Sequence, residues 1–320
     1  MKTFYWLIKR EFWENRGSFF WAPVITAGVF IVFHVIGLAQ AQFTTHAISA
    51  SSINSIVDQM NNGHGDLVGL ALDMSMYGVT AMVYLVTGIT LFFYCLGSLF
   101  DDRNDRSYLF WKSLPISDRD TVLSKVASAT VLAPVIATVV GILAGLLLLL
   151  LTIIAAAFYG IHGWALLGNT HPFRVMGLLL ASIPVSLVWA LPAVGWLMLC
   201  SAWARSKPFL WATVIPLGSG AMLYWLDVLG VINFGGWFWH NIVVRVFISI
   251  VPWSWFPKSF DGSIFKGLKT PDQITTVAHE MLNLGHIWAQ LLKPEFWGGA
   301  LLGIAMIIAA IWLRRWRTET

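Results

Sequence analysis

Charge is what this sequence has least of. Asp, Glu, Lys and Arg make up 11% of 320 residues, against 58% hydrophobic residues, whereas a soluble domain carries about 25% charged residues. A chain this poor in charge cannot cover its own surface in water, which excludes an ordinary soluble globule. Cysteine is nearly missing as well. Cys95 and Cys200 both fall late in apolar runs, which excludes a disulfide framework and leaves two packed thiols. No Gly-x-x-x-x-Gly-Lys-Ser/Thr run occurs, so the phosphate cradle of a nucleotide-hydrolysing loop is missing. The chain has no ATP motor of its own.

Other catalytic signatures fail in the same way. His279-Glu280-Met281-Leu282-Asn283 begins like a zinc-protease helix, but Asn283 stands where the second histidine must sit. His286, seven residues from His279, leaves only a weak metal arrangement with Glu280. Two polar positions on an amphipathic helix account for these histidines better. Gly218-Ser219-Gly220 lacks the frame of a nucleophile elbow and reads as a helix bend after Pro216.

What is present in abundance is apolar sequence. Mean hydropathy is +0.72, and eighteen Trp residues suit membrane–water interfaces. A membrane span needs about 20 mostly apolar residues. Six runs qualify: Phe19–Leu38, Tyr77–Phe100, Val126–Tyr159, Val175–Cys200, Pro208–Ile232 and Phe296–Leu313. The third is long enough to tilt or to extend beyond the bilayer. The predicted fold is an all-α integral membrane protein of six spans forming one transmembrane domain.

Orientation follows from the basic residues. With the N-terminus inside, the inner segments hold Lys2, Lys9, Arg10, Arg16, Arg103, Arg106, Lys112, Arg119, Lys125, Arg205, Lys207, Arg314, Arg315 and Arg317. These are fourteen of the 20 lysines and arginines, and the positive-inside rule then places both termini in the cytoplasm. The net charge of +4 is accordingly a topology signal, and nucleic acid is not an expected partner. Residues Met1 to Gly17 carry too much charge over too long a stretch for a signal-peptide n-region; the first span is expected to stay in the protein.

The N-terminal segment 1–17 reads as a helix lying on the inner membrane surface. Phe4, Tyr5, Ile8 and Phe12 fall on one side at helical spacing, with Lys2, Lys9 and Arg16 on the other toward anionic headgroups. Trp6 and Trp13 flank the stripe. On the outer side, Gly236 to Pro257 is rich in Trp and Phe yet contains His240, Asn241 and Arg245. It reads as a re-entrant or interface-lying element within a long outer region, 233–295, since a seventh span would break the parity. Thr270-Pro271-Asp272-Gln273 then has a capping pattern for a helix running toward Gln290, with a break at Gly285 and a second at Pro294. The outer Trp237, Trp239, Trp253, Trp255, Trp288 and Trp297 are expected as interface anchors rather than sugar platforms.

The most informative stretch is the inner loop, 101–125. It opens as Asp101-Asp102-Arg103-Asn104-Asp105-Arg106-Ser107, passes into the apolar patch Tyr108-Leu109-Phe110-Trp111, and closes with Ser113-Leu114-Pro115-Ile116-Ser117 before Lys125. Pro115 should end one short helix, and Ser117 should cap the next, with Asp118 and Asp120 in its first turn. An aromatic patch ringed by charge on an inner loop suits docking to a soluble partner.

This loop resembles the coupling region of the membrane-spanning permease subunits of type-2 ATP-binding-cassette (ABC-2 type) exporters. The likeness extends in layout to the surface-lying N-terminal helix, six spans, inside termini and broken helical element before the last span. The 233–295 region is longer than the compact hairpin usual in that family. The resemblance implies a permease that pairs with a second copy or a paralogue, and with soluble ATPase subunits that carry ATP and Mg; this chain itself would hold no cofactor. By carry-over, Tyr108, Leu109, Phe110 and Trp111 would seat in the ATPase cleft, and Arg103, Asp105 and Arg106 would set its register. The interface helix, through Phe4, Ile8 and Phe12, would share the transmitted motion. The location implied is the cell (inner) membrane, in a bacterial style of organisation with a separate motor.

Within the spans, His34 and Asp227 are the ionisable candidates for lining a substrate path. Pro134, Pro184, Pro192 and Pro216 should kink their helices, and Gly141-x-x-x-Gly145 and Gly299-x-x-x-Gly303 should permit close packing. Walls of Leu, Ile, Val, Phe and Trp suit an amphipathic or apolar cargo such as a lipid, peptide or drug-like molecule. Two other classes stay open: a polytopic membrane enzyme, which needs catalytic groups clustered at one depth, and a membrane anchor or assembly factor, which needs no aromatic loop patch.

Overall fold

The computed structural model describes residues 2–45, 65–104, 117–158, 163–256 and 283–317. Among these every regular element is helical. Six helices are long and apolar enough to cross a membrane: span 1 (Gly17–Gln40), span 2 (Val68–Asn104), span 3 (Asp118–Phe158), span 4 (Pro172–Trp203), span 5 (Pro208–Val228) and span 6 (Pro294–Trp316). The first helix, α1 (Lys2–Glu14), precedes them. Each span overlaps one of the six apolar runs, but several ends differ, and each difference has a local cause.

Span 5 stops at Val228 rather than Ile232 because Gly230 takes a left-handed conformation at φ 71°. The Val231 N–H then returns to the Leu226 carbonyl at 3.0 Å and the Gly230 N–H to Asp227 at 3.0 Å, which is the Schellman way of satisfying the last carbonyls. Span 3 begins early, at Asp118, because Ser117 caps it. The Ser117 side chain accepts from the Asp120 N–H at 3.1 Å, as the loop sequence predicts. At 41 residues this helix is about 60 Å long, twice the hydrocarbon thickness. Its charged first turns therefore stand outside the apolar stretch. Span 2 also starts earlier than expected, which places Asp73 on a helix instead of in a loop.

Spans 2 and 4 form the centre, with 56% and 50% of their apolar windows buried, against 11% for span 1 and 17% for span 5. Glycines set the close contacts. A side chain at Gly141 or Gly145 would run into Thr80 or Met76 of span 2, and one at Gly303 into the Leu191–Pro192 backbone of span 4. Gly195 answers from span 4 against the Gly303 backbone. The Gly141–Gly145 pattern is used as a helix-packing face, and Gly303 of the second pattern packs on span 4 while Gly299 faces the Arg245 side chain.

Between spans 5 and 6 the chain forms short helices: α2 (Gly235–Phe238), a π turn (Trp239–Val243) and α3 (Val244–Ile248). These pack against the middle of the long helices. Val251 fills the space over Gly88 of span 2, and Phe247 lies 6.4 Å from Phe92. Tyr77, Trp253 and Phe256 stack in sequence at 5.2 and 4.5 Å. Trp255, expected as an interface anchor, is instead fully buried, with its indole N–H on the Ser186 hydroxyl at 3.1 Å. Trp237, Trp288 and Trp297 stay about half exposed.

The helix before span 6, α4 (Leu284–Ala289), starts at Asn283, whose side chain accepts from the Gly285 N–H at 3.0 Å. Gly285 thus lies in a first helical turn and is not the break read from sequence. Pro294 does begin span 6. The predicted cap at Thr270 lies outside the described residues, as do His279 and Glu280.

Candidate functional site

At the end of the bundle that carries both termini, charge is concentrated and buried. Lys125 of span 3 lies 3.1 Å from Glu11 of α1 and 3.6 Å from Asp102 at the end of span 2. Asp102 also meets Arg314 of span 6 at 3.4 Å, and Arg314 reaches Asp118 at the start of span 3 at 3.3 Å. The Tyr94 hydroxyl donates to the second Glu11 oxygen at 2.8 Å. Glu11 and Lys125 are 2% and 3% exposed. One chain of ionic contacts therefore joins α1, span 2, span 3 and span 6.

Burial on this scale makes the partners interdependent. Removing one member of a buried pair leaves the other desolvated and uncompensated, a cost of about 3–5 kcal/mol. Lys125 answers two carboxylates, and Asp102 answers two cations. None of the four helices can withdraw from this end without exposing or orphaning a charge.

The described residues on either side of 105–116 are both held here. Asp102 and Arg103 close its first side, and Ser117 and Asp118 open its second. Arg103 turns inward: its guanidinium donates to the carbonyls of Ser201 at 2.6 Å and Ala204 at 3.0 Å. A cation on the last carbonyls of a helix complements its negative end. Ser201 in turn accepts from the Leu99 and Phe100 N–H groups at 3.1 and 3.0 Å. Span 2 and span 4 are thus pinned end to end. Arg103 works within the chain, while Asp105, Arg106, Tyr108, Leu109, Phe110 and Trp111 lie outside the described residues.

Helix α1 holds Phe4, Ile8 and Phe12 half-buried, and its most buried residues are Leu7 and Glu11. Tyr5, assigned to the apolar side, is 61% exposed beside Trp6. The missed signal was available. At helical spacing Glu11 falls among Phe4, Leu7, Ile8 and Phe12, and an acid in the middle of an apolar stripe needs a buried cation. Asp73 was missed for a related reason. It caps the start of span 4, accepting from the His171 N–H at 3.1 Å, where a carboxylate suits the positive helix end.

His34 and Asp227 are not brought together. The His34 Nε2 lies 2.9 Å from the Thr152 hydroxyl, linking spans 1 and 3. Because that hydroxyl donates to the Leu148 carbonyl at 2.8 Å, the imidazole N–H is the donor. Asp227 accepts from the Gly236 N–H at 3.1 Å, fixing the turn after span 5. Gly235 allows this turn, since a side chain there would meet the Leu223 carbonyl. Each is matched to a polar group of the chain, His34 to Thr152 and Asp227 to the Gly236 N–H. Cys95 and Cys200 are buried free thiols.

Comparison with known proteins returns no matching family model, no matching curated protein and no matching solved structure.

Proposed function

We propose that this chain is the permease subunit of an ATP-driven exporter whose motor is a separate soluble ATPase, carrying ATP and Mg, docked on the 105–116 loop. Both termini and that loop face the cytoplasm. α1 lies along the inner membrane surface, and α2 and α3 form a re-entrant element from the opposite side. The subunit pairs with a second copy or a paralogue to enclose a path for an amphipathic or apolar cargo.

The observation that carries this reading is the buried ionic chain from Glu11 to Asp118. A loop that receives a push is useful only if its ends are rigidly joined to the helices that must move. Here the residues flanking the loop are bonded to span 3, span 4 and span 6, and Lys125 of span 3 carries the connection on to α1. The fourteen basic residues on the same side support the cytoplasmic orientation. A membrane enzyme would need catalytic groups gathered at one depth, whereas His34 and Asp227 are spent on separate positioning tasks.

The test is co-purification from native membranes. The chain is solubilised in mild detergent and the captured soluble proteins are assayed for ATP hydrolysis. An ATPase should be retained by the native chain and lost from the variant Phe110→Asp with Trp111→Asp, whose spans still elute as folded protein. Capture of no ATPase, or equal capture by the double variant, refutes the assignment.

A further inference from the structure

A second, half-buried cation lies far from the ionic chain. Arg245 of α3 donates to the backbone carbonyls of Glu295 at 2.8 Å and Phe296 at 3.2 Å. Its guanidinium carbon lies 4.3 Å from the centre of the Trp189 ring. Gly299 of span 6 makes the seat, because a side chain there would occupy the guanidinium itself. The Arg245 Nε is buried with no hydrogen-bond partner. Among the described residues no carboxylate forms an ion pair with this side chain. Glu295 meets it through a carbonyl oxygen, and the Glu295 charge acts on it from beyond ion-pair distance.

Depth makes this unusual. Gly299 stands fifteen residues before Arg314 on one continuous helix, about 22 Å along its axis. If the ionic chain marks one headgroup level, Arg245 sits within the roughly 30 Å hydrocarbon layer. Carbonyl dipoles and a π face only partly compensate a full charge in such surroundings. Beside it opens a cavity of about 270 Å³, lined by Arg245, Glu295, Asn241 and Trp237 together with Pro192 and Leu302, and edged by Gly298. Its walls are mostly apolar, and Leu302 and Trp237 leave it half open toward the surroundings.

We infer that this cavity binds an amphiphile with an anionic head, phosphate or carboxylate, joined to an acyl chain. The head takes the guanidinium N–H groups left over after the two carbonyls, a charge-assisted contact stronger than a neutral one. The chain lies along Leu302 and Pro192. The site is separate from the loop and does not depend on an ATPase partner. Two sources share this chemistry: a phospholipid of the bilayer, and a free single-chain amphiphile of the kind an exporter would carry.

Native mass spectrometry on the detergent-purified full chain tests it, titrating phosphatidylglycerol, dodecyl phosphate and phosphatidylcholine separately. The variants are Arg245→Gln and Gly298→Leu; a side chain at Gly298 meets no atom within 4 Å and projects into the cavity while leaving Arg245 in place. The anionic ligands should bind the native chain at least about tenfold more tightly than phosphatidylcholine, and both variants should lose that margin. Preference for phosphatidylglycerol identifies a bilayer lipid as the occupant, and equal or tighter dodecyl phosphate identifies a free amphiphile. Equal affinity for phosphatidylcholine and the anionic ligands overturns the inference, as does native-like binding by Arg245→Gln. Should Arg245→Gln fail to fold, Gly298→Leu decides alone.

Discussion

The two ends of span 6 handle a buried cation in opposite ways. Near its C-terminus, Arg314 sits in a closed set with Asp102, Asp118, Lys125 and Glu11, where every charge is answered by another of this chain. Near its N-terminus, the guanidinium of Arg245 is met by two carbonyls and a Trp face, with Glu295 acting on it only from beyond ion-pair distance, beside a cavity. A closed set of charges welds helices into one body, and its energy is internal. An open charge beside a void is completed from outside. The same helix thus belongs to a rigid body at one end and to a binding place at the other.

The comparison is broken most sharply at Lys125. Lys125→Met removes the cation that Glu11 and Asp102 share, and should cost about 3–5 kcal/mol. Thermal unfolding followed by intrinsic fluorescence in detergent should fall by roughly 10 °C. A shift of only one or two degrees would mean the set is not closed. Replacing the pair together, as Glu11→Leu with Lys125→Met, should recover most of that loss, to within about 1–2 kcal/mol of native. A double variant as unstable as the single one would show that packing, not charge, dominates the site.

Arg245→Gln gives the contrast. The guanidinium loses two carbonyl contacts and its place over Trp189, worth about 1–2 kcal/mol, and the cost of its partly compensated charge disappears. Its effect on unfolding should be well below that of Lys125→Met in lipid-free detergent. The gap should narrow when phosphatidylglycerol is added, because only the native chain gains from the ligand. The smallest change is Ser117→Ala, which removes the cap on the Asp120 N–H for about 1 kcal/mol. Hydrogen exchange should rise in residues 118–121 and nowhere else.

Much of the architecture was legible because it rests on local physics. Six apolar runs of sufficient length give six helices, Ser117 followed by Asp118 and Asp120 gives a capped start, and Gly141, Gly145 and Gly303 give close helix contacts. The errors came where a local pattern was overruled by a distant partner. Asp73 reads as a loop residue until His171 is known to stand beside it. Trp255 reads as an interface anchor until Ser186 offers its indole a buried acceptor. Glu11 and Lys125 are 114 positions apart in sequence, and neither is remarkable alone. His34 and Asp227 invited a functional reading because they are rare in apolar surroundings, but each is matched to a polar group that only the folded chain supplies.

The central claim is that the closed set transmits the motion of a separate ATPase to the spans. ATP hydrolysis by the assembled complex in nanodiscs tests it most directly, comparing the native chain with Glu11→Leu plus Lys125→Met. The account predicts that the double variant keeps its ATPase bound and its spans folded, while hydrolysis no longer responds to the permease and falls to the rate of the free ATPase. A double variant that hydrolyses ATP at the native, permease-dependent rate would contradict it.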